Sequence, residues 1–324
     1  MNTENRFLIM DNQPQYGMKA IIKSCLYKLK SVYYSFLSAI YQPVKDEEKL
    51  YNVSILAIFK NEAKYLKEWI EFHKIVGVEH FYLYNNNSDD DYLDVLQPYI
   101  DEGIVTLIQW SQNQAQMECY NDGILRFRNE SKWIAIIDID EFIVPNSTDN
   151  VYDFLKDFEN KPAVIGYWKY FGASGKLNRP ADALVVEDFV VAWRKYADIG
   201  KCFYNTKYDF DIKYKGNNIL HHFMWASYKG HAMPPVNVFG KICLPGRHKI
   251  PYKAQPDHFP LQINHYFTKS YQEYIDKKSK GDVYFKENPH TLEYFHEHDM
   301  LCQQTDYHAY KYLVKLKLAM DKNV

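Results

Sequence analysis

From residue 51 onward the sequence switches repeatedly between two hydrophobic rhythms. VSILAIF (53–59) is a short, nearly continuous apolar run, and residues 62–76 then carry Leu66, Trp69, Ile70 and His73 at helical spacing. HFYLYN (80–85), IVTLIQW (104–110) and KWIAIIDID (132–140) repeat the first rhythm, and residues 90–101 and 114–130 repeat the second. Apolar runs of this length suit strands buried on both faces, and strand–helix alternation predicts an α/β fold: a mostly parallel sheet flanked by helices. In such sheets ligands bind beyond the carboxyl ends of the strands. The residues after each run therefore come first in a search for chemistry.

Three of those ends are polar or acidic: Lys60-Asn61-Glu62, the run Asn85-Asn86-Asn87-Ser88-Asp89-Asp90-Asp91, and Asp138-Ile139-Asp140-Glu141. No GxGxxG or GxxxxGK loop is present, so neither a Rossmann dinucleotide loop nor a P-loop is encoded. Asp-x-Asp at a strand end offers hard oxygen ligands for Mn²⁺ or Mg²⁺, which can bridge to a diphosphate and stabilise it as a leaving group. Acids there can instead cap the next helix. Here Trp133–Ile137 runs straight into Asp138 and Phe142-Ile143 resumes the apolar pattern. Acids framed by hydrophobes in this way are costly unless they bind something. The Asn run can also be a turn, because Asn tolerates left-handed φ.

Farther along, AVIGYWKYF (163–171) and ALVVEDFVVAW (183–193) read as strands, expected to add antiparallel to the sheet. Residues 194–265 are loop-rich, and 270–280 and 306–321 read as helices. Gly172-Ala173-Ser174-Gly175 misses the GxSxG nucleophile elbow by one residue. His296-Glu297-His298-Asp299 lacks HExxH spacing and reads as a solvated turn.

The chain has 324 residues, with 39 Lys+Arg against 41 Asp+Glu. A net charge of -2 argues against a general nucleic-acid binder. Five scattered cysteines without CxxC or zinc spacing read as free thiols of a reducing compartment. Residues 1–17 read as a loose tail. In residues 18–41, Ile22, Leu26, Leu29, Tyr33, Phe36 and Ile40 share one helical face, with Lys19, Lys23, Lys28 and Lys30 around it and no acid between Asp11 and Asp46. Such a helix suits an anionic membrane surface, or packing on the protein's own core or a partner. No basic n-region leads into a long apolar run at the start, and no stretch reaches the ~18 apolar residues of a spanning helix. The expected location is the cytoplasm, at the inner face of the cytoplasmic membrane. Three units are expected: tail and basic helix (1–50), a main domain (51–300) and a C-terminal helix (301–324).

The ordered set IFKNEAKYLKEWIEFHKIVGVEHFYLYNNNSDDD, QNQAQMECYND, WIAIIDIDEFIVP, YWKYFGASG (167–175) and INHYFTKSYQEYIDKKSKGD (263–282) resembles glycosyltransferase family 92 and its bacterial relatives, over roughly residues 52–285. The resemblance implies a GT-A fold, a nucleotide-sugar donor (UDP-galactose is suggested), a divalent metal and inversion at the anomeric carbon. It implies donor contacts from Asn61, Glu62, Asn86, Asn87, Ser88, Gln116 and Lys201, with Gln114 and Asn121 beside Gln116. Asp138 would approach ribose and metal, and Asp140 and His265 would complete the metal shell. Lys201, Lys269 and Lys277 would neutralise diphosphate. Inversion needs a base for the acceptor hydroxyl. Glu187 matches the family's apolar–Glu pattern, with Asp188, Asp198, Asp209 and Asp211 as other carboxylates in reach of the sequence. Lys176 stands where relatives place His after the glycine pair, on the side assigned to the acceptor.

Aromatic residues make up 17% of the chain, including 29 Tyr. Tyr82 and Tyr84 alternate on a strand and read as structural. Trp168, Tyr170, Phe171, Trp193, Trp225 and Tyr228 lie in the acceptor-side half, where stacking on a glycan or glycolipid acceptor is expected. The competing expectation is a non-catalytic carbohydrate-binding or scaffold protein on the same fold.

Overall fold

The structure is a computed structural model that describes residues 18–43, 48–113, 115–210, 221–244, 255–279 and 291–321. Gln114, Asp211 and the 1–17 tail lie outside the described residues.

The alternating half forms as its periodicity demands. Strands β1 (Tyr51–Phe59), β2 (His80–Asn85), β3 (Val105–Gln109) and β4 (Ser131–Ile136) alternate with helices α2 (Ala63–Ile75), α3 (Tyr92–Asp101) and α4 (Gln116–Phe127); α1 (Met18–Ile40) precedes them. All pairings among the four strands are parallel, in the order β3-β2-β1-β4. The carboxyl ends are flush, since Phe59 pairs with Asn85 and Asn85 with Gln109. Between β1 and β4 the winding reverses, which opens the crevice where α/β sheets take ligands. One face of the sheet packs under α2 and α3, through Leu66, Trp69, Phe72 and Leu96. The other packs under α4, through Cys119, Tyr120, Ile124 and Phe127.

Beyond β4 the sheet becomes mixed. β5 (Glu141–Pro145) and α5 (Val151–Leu155) lead to β6 (Ala163–Tyr170), a fully buried strand. The expected strand over 183–193 is instead a single helical turn, α6 (Val185–Asp188), and a three-residue strand, β7 (Val191–Trp193). The buried Glu68 carboxylate accepts bonds from the Val185 and Val186 amides, at 2.8 and 3.0 Å, and starts the turn. A side chain 117 residues away thus overrides the β-propensity of Val-Val. β8 (Gly200–Asn205) runs antiparallel between β4 and β6. Next come β9 (Asp209–Phe210), β10 (Ala226–Tyr228), β11 (His231–Met233), β12 (Val236–Asn237) and β13 (Leu261–His265). β13 pairs parallel with β6 and antiparallel with β5. β9, β10 and β11 form a small separate sheet.

The chain continues through α7 (Tyr271–Ser279), α8 (Leu292–Met300), β14 (Cys302–Thr305) and α9 (Leu313–Asp321). The His296–Asp299 run therefore lies on a helix, not in a solvated turn. His298 is buried, and Asp299 accepts a bond from the Ala173 amide at 2.7 Å. Tyr82 and Tyr84 are structural as expected, donating to Glu130 (2.8 Å) and Asp122 (2.6 Å). All five cysteines are free thiols. Among the described residues, no helix is long and apolar enough to cross a membrane.

Candidate active site

β4 delivers the acids. Ile137 and Ile139, just past the strand, are anchored in the core. Between and after them the backbone turns: the Glu141 amide donates to the Asp138 carbonyl at 3.1 Å, and the Asp138 amide to the Glu141 carboxylate at 2.9 Å. Sheet register then recruits distant residues. His265 pairs with Glu141 across β5–β13, and the Tyr266 amide donates to the Asp140 carbonyl at 2.9 Å. Ala135 pairs with Phe203, so the same register two residues on sets Lys201 opposite Ile137, at the threshold of Asp138.

Within the cluster, Asp140 is flanked by Lys277 Nζ at 2.5 Å and His265 Nε2 at 3.5 Å. Burial opposes its charge, but Lys277 and His265 outweigh burial and hold its carboxyl well below the usual carboxylate range. His265 goes the other way: burial depresses its pKa despite Asp140, which leaves a neutral imidazole with a lone pair to offer. Glu141 is fully buried, and burial pushes its carboxyl well above the usual range against the opposing field of Lys201. Asp138 is lowered, because Lys201 at 2.6 Å outweighs burial. Tyr120 donates to Asp138 at 3.0 Å and receives a bond from Gln116 at 3.1 Å.

One ligand atom from each of Asp140, Glu141 and His265 can lie within 4.8 Å of the others. This differs from the expected set of Asp138, Asp140 and His265. Asp138 is engaged by Tyr120 and Lys201, whereas Glu141 shares the β5–β13 register with His265. The three side chains are buried, and Glu141 Oε1 and His265 Nδ1 have no hydrogen-bond partner. Buried polar atoms are rarely left so. Asp140 and His265 can ligate as they stand, and Glu141, whose ionisation burial opposes, would release a proton on binding, so the oxygen–nitrogen set fits a divalent cation such as Mn²⁺ or Mg²⁺.

The other sequence-derived residues divide. Glu62 ends the β1 loop and lines a pocket with Lys64, Tyr65, Lys269 and Lys277. Lys269 is buried there in a left-handed conformation (φ 51°), with its ammonium 4.1 Å from the Tyr65 ring centre. Such φ values in a non-glycine residue mark backbone held by its surroundings. Lys201 is fully buried and its ammonium is committed to Asp138 and Glu141, not presented to a diphosphate. Asn86 donates to the Trp110 and Gln112 carbonyls, both at 2.8 Å, and Asn87 to the Ser111 carbonyl at 3.1 Å. Ser88 accepts from the Asn61 amide (2.9 Å), and Asn61 from the Asp89 amide (2.8 Å). Asn61 and Asn87 have φ of 55° and 57°. Four expected donor contacts thus use these side-chain groups to knit the loops, as the turn reading allowed. Asn121 bonds back to Met117.

Glu187 is not brought to the cluster. Its carboxylate pairs with Lys317 at 2.5 Å and its carbonyl accepts from Tyr310, on the C-terminal flank. Asp188 pairs with Lys176, and Asp209 with Arg128. Asp198 lies near enough to Tyr170 to add to burial in opposing ionisation of that hydroxyl. Tyr170 in turn stacks on His265 at 5.1 Å. The aromatics expected to stack on sugar are mostly internal: Trp168, Tyr170, Phe171, Trp193 and Trp225 are buried, and Tyr228 is half-buried. Trp168 packs on His265 (4.7 Å) and His222 (4.9 Å), walling the cluster. Two participants were missed as such. Tyr120 reads only as a core position of α4, and Glu141 as a mere neighbour of Asp-x-Asp; its place at the head of an apolar strand was the available signal.

The family model described as glycosyltransferase family 92 matches residues 51–301. A family 92 protein of Ricinus communis is 31% identical over 144 residues, covering 43% of this chain and 26% of its own length. One from Oryza sativa subsp. japonica is 31% identical over 137 residues, covering 41% and 23%. The chain spans about a quarter of the length of these curated relatives. Among solved structures, S. aureus TarS in complex with UDP overlaps 48% of this chain and 47% of its own, at 15% identity and a TM-score of 0.32. The Pyrobaculum calidifontis mannosyltransferase PcManGT, in complex with GDP-Man and Mn²⁺, overlaps 44% and 42% at 14% identity and a TM-score of 0.28. With the family model covering most of its length, the chain belongs to glycosyltransferase family 92.

Proposed function

We propose that the protein transfers a sugar, galactose in the first instance, from a UDP-sugar to a glycan or glycolipid acceptor, with inversion, in surface polysaccharide or lipopolysaccharide synthesis. The observation that carries this reading is the buried Asp140–Glu141–His265 set at the crevice of a family 92 chain. These three residues would hold Mn²⁺ or Mg²⁺, and such a cation supplies positive charge to a diphosphate leaving group. The chain's own groups prepare the site. Lys277 keeps Asp140 ionised, and burial keeps His265 neutral and able to ligate. Tyr120 and Lys201 fix both oxygens of Asp138. Lys64, Lys269 and Lys277 line the neighbouring pocket together with Glu62, Glu273 and Asp276, a balanced set from which ammonium groups could be offered to an anionic donor. The cytoplasmic face of the membrane is the location that fits a nucleotide-sugar pool and a glycolipid acceptor.

A screen of UDP-, GDP- and CMP-sugars with Mn²⁺ tests the proposal by nucleotide release. UDP-sugar turnover is expected, with loss of at least about a hundredfold in Asp140→Asn. Thermal shift with UDP plus Mn²⁺ accompanies it. Wild-type turnover in Asp140→Asn would remove the metal role. Absence of stabilisation by every nucleotide tried with Mn²⁺ would favour the non-catalytic carbohydrate-binding reading.

A further inference from the structure

Helix α1 has two faces with different fates. One face holds the protein: Tyr27 donates to the Ile242 carbonyl at 2.9 Å, Tyr34 packs edge-on against Trp225 at 5.6 Å, and Tyr41, just past the helix, stacks on His231 at 4.0 Å. These three tyrosines recur every seven residues and form one stripe. The opposite face leaves Ile22, Leu26, Leu29, Val32, Tyr33 and Phe36 each more than half exposed. At about 100° per residue, with Tyr27 as origin, these six fall between about 140° and 260°. Lys28 falls near 100°, and Lys23 and Lys30 near 300–320°, so lysines border the apolar arc on both sides. No acidic residue occurs between Asp11 and Asp46, although the whole chain carries a net charge of -2.

We propose that this exposed face of α1 docks flat on an anionic lipid bilayer. A wide apolar arc bordered by lysines is the arrangement of an interfacial helix: the arc enters the acyl boundary while the ammonium groups reach the anionic headgroups. The tyrosine stripe leaves the arc free by anchoring the helix from behind. A second copy of this chain fits the face less well. A symmetric helix pair through the arc would set lysine borders against lysine borders, with no acid on the helix to answer them. The inference goes beyond the transfer reaction and stands independently of it.

The test is vesicle co-sedimentation of the full chain, with phosphatidylcholine alone and with phosphatidylglycerol added. Cys25 lies exposed within the arc, at about 160°, and Cys119, Cys202 and Cys243 are buried, so with the partly exposed Cys302 changed to Ser a polarity-sensitive thiol dye on Cys25 reports insertion. The wild type is expected to bind anionic vesicles with a blue shift of the dye, and to bind neutral vesicles about tenfold or more weakly. Leu29→Asp with Phe36→Asp, both at exposed positions, is expected to lower binding about tenfold or more with an unchanged circular dichroism spectrum. Lys23→Glu with Lys28→Glu and Lys30→Glu should erase the anionic preference. Equal binding by the Leu29→Asp/Phe36→Asp variant would overturn the proposal. So would a wild type that ignores vesicles but loses a dimer on the same substitutions, which would put a second copy on the face.

Discussion

Asp138 and Asp140 differ in role although the sequence presents them as a pair. Asp138 is locked by Tyr120 and Lys201, while Asp140 faces His265 and Lys277. Two residues of spacing separate a carboxylate locked through both oxygens from one that faces an imidazole and an ammonium group. Glu273 shows the same sensitivity to surroundings. It accepts from Lys64 (2.9 Å), Tyr65 (2.9 Å), Arg179 (3.0 Å) and Ser270, and thereby ties the start of α7 to α2. Burial opposes its charge, but the bonds from Arg179, Lys64 and Ser270 win and hold its pKa far below the ordinary 4.5. A depressed carboxylate adds stability above its unfolded pKa and loses it as pH falls below. Melting temperature should therefore drop as pH is lowered from about 5 to about 3, and Glu273→Gln should flatten that part of the profile. An identical acid limb in Glu273→Gln would show that other carboxylates govern it.

At the scale of elements, the parallel half was legible because its signals are local. Each strand is a short apolar run, each helix a 3.6-residue rhythm, and each boundary a polar cluster. The second half was not. α6 exists because Glu68 reaches over from α2, and β8 is a strand because β4 and β6 accept it on both sides. Gly200, at the start of β8, shows how close that insertion is. A Cβ there would collide with the Gly166 carbonyl oxygen and approach the Tyr167 Cα at 2.6 Å. Gly200→Ala should destabilise the protein by about 1–3 kcal/mol, as overpacking does. Because Lys201 follows directly, nucleotide release should fall as well. Urea unfolding beside the activity assay checks both, and an unchanged midpoint would mean that β8 yields without strain.

At the scale of the whole molecule, the described C-terminal residues pack against the main body of the fold. One hydrophobic core runs from Val53 in β1 through Phe295 in α8 to Tyr312 and Leu316 at the C-terminal end. Lys67 of α2 also donates to the Met320 carbonyl of α9 at 3.1 Å. The described residues 301–321 therefore contribute to the same core. Leu316 is fully buried. Leu316→Ala should cost about 2–5 kcal/mol and lower the melting temperature of a single transition. A separate low-temperature transition for α9 in calorimetry would contradict a shared core.

By itself the sequence determined the α/β class, the order of the parallel strands' elements, the acidic end of β4 and the family. These follow from periodicity and from motifs whose residues are neighbours along the chain. Only the tertiary structure decided which acids join His265, what Lys201 and the Asn run are used for, where Glu187 lies, and which face of α1 stays exposed. Each of these depends on partners tens to hundreds of residues apart, brought together by sheet register and packing. Spacing along a chain carries no record of such contacts until the chain has folded.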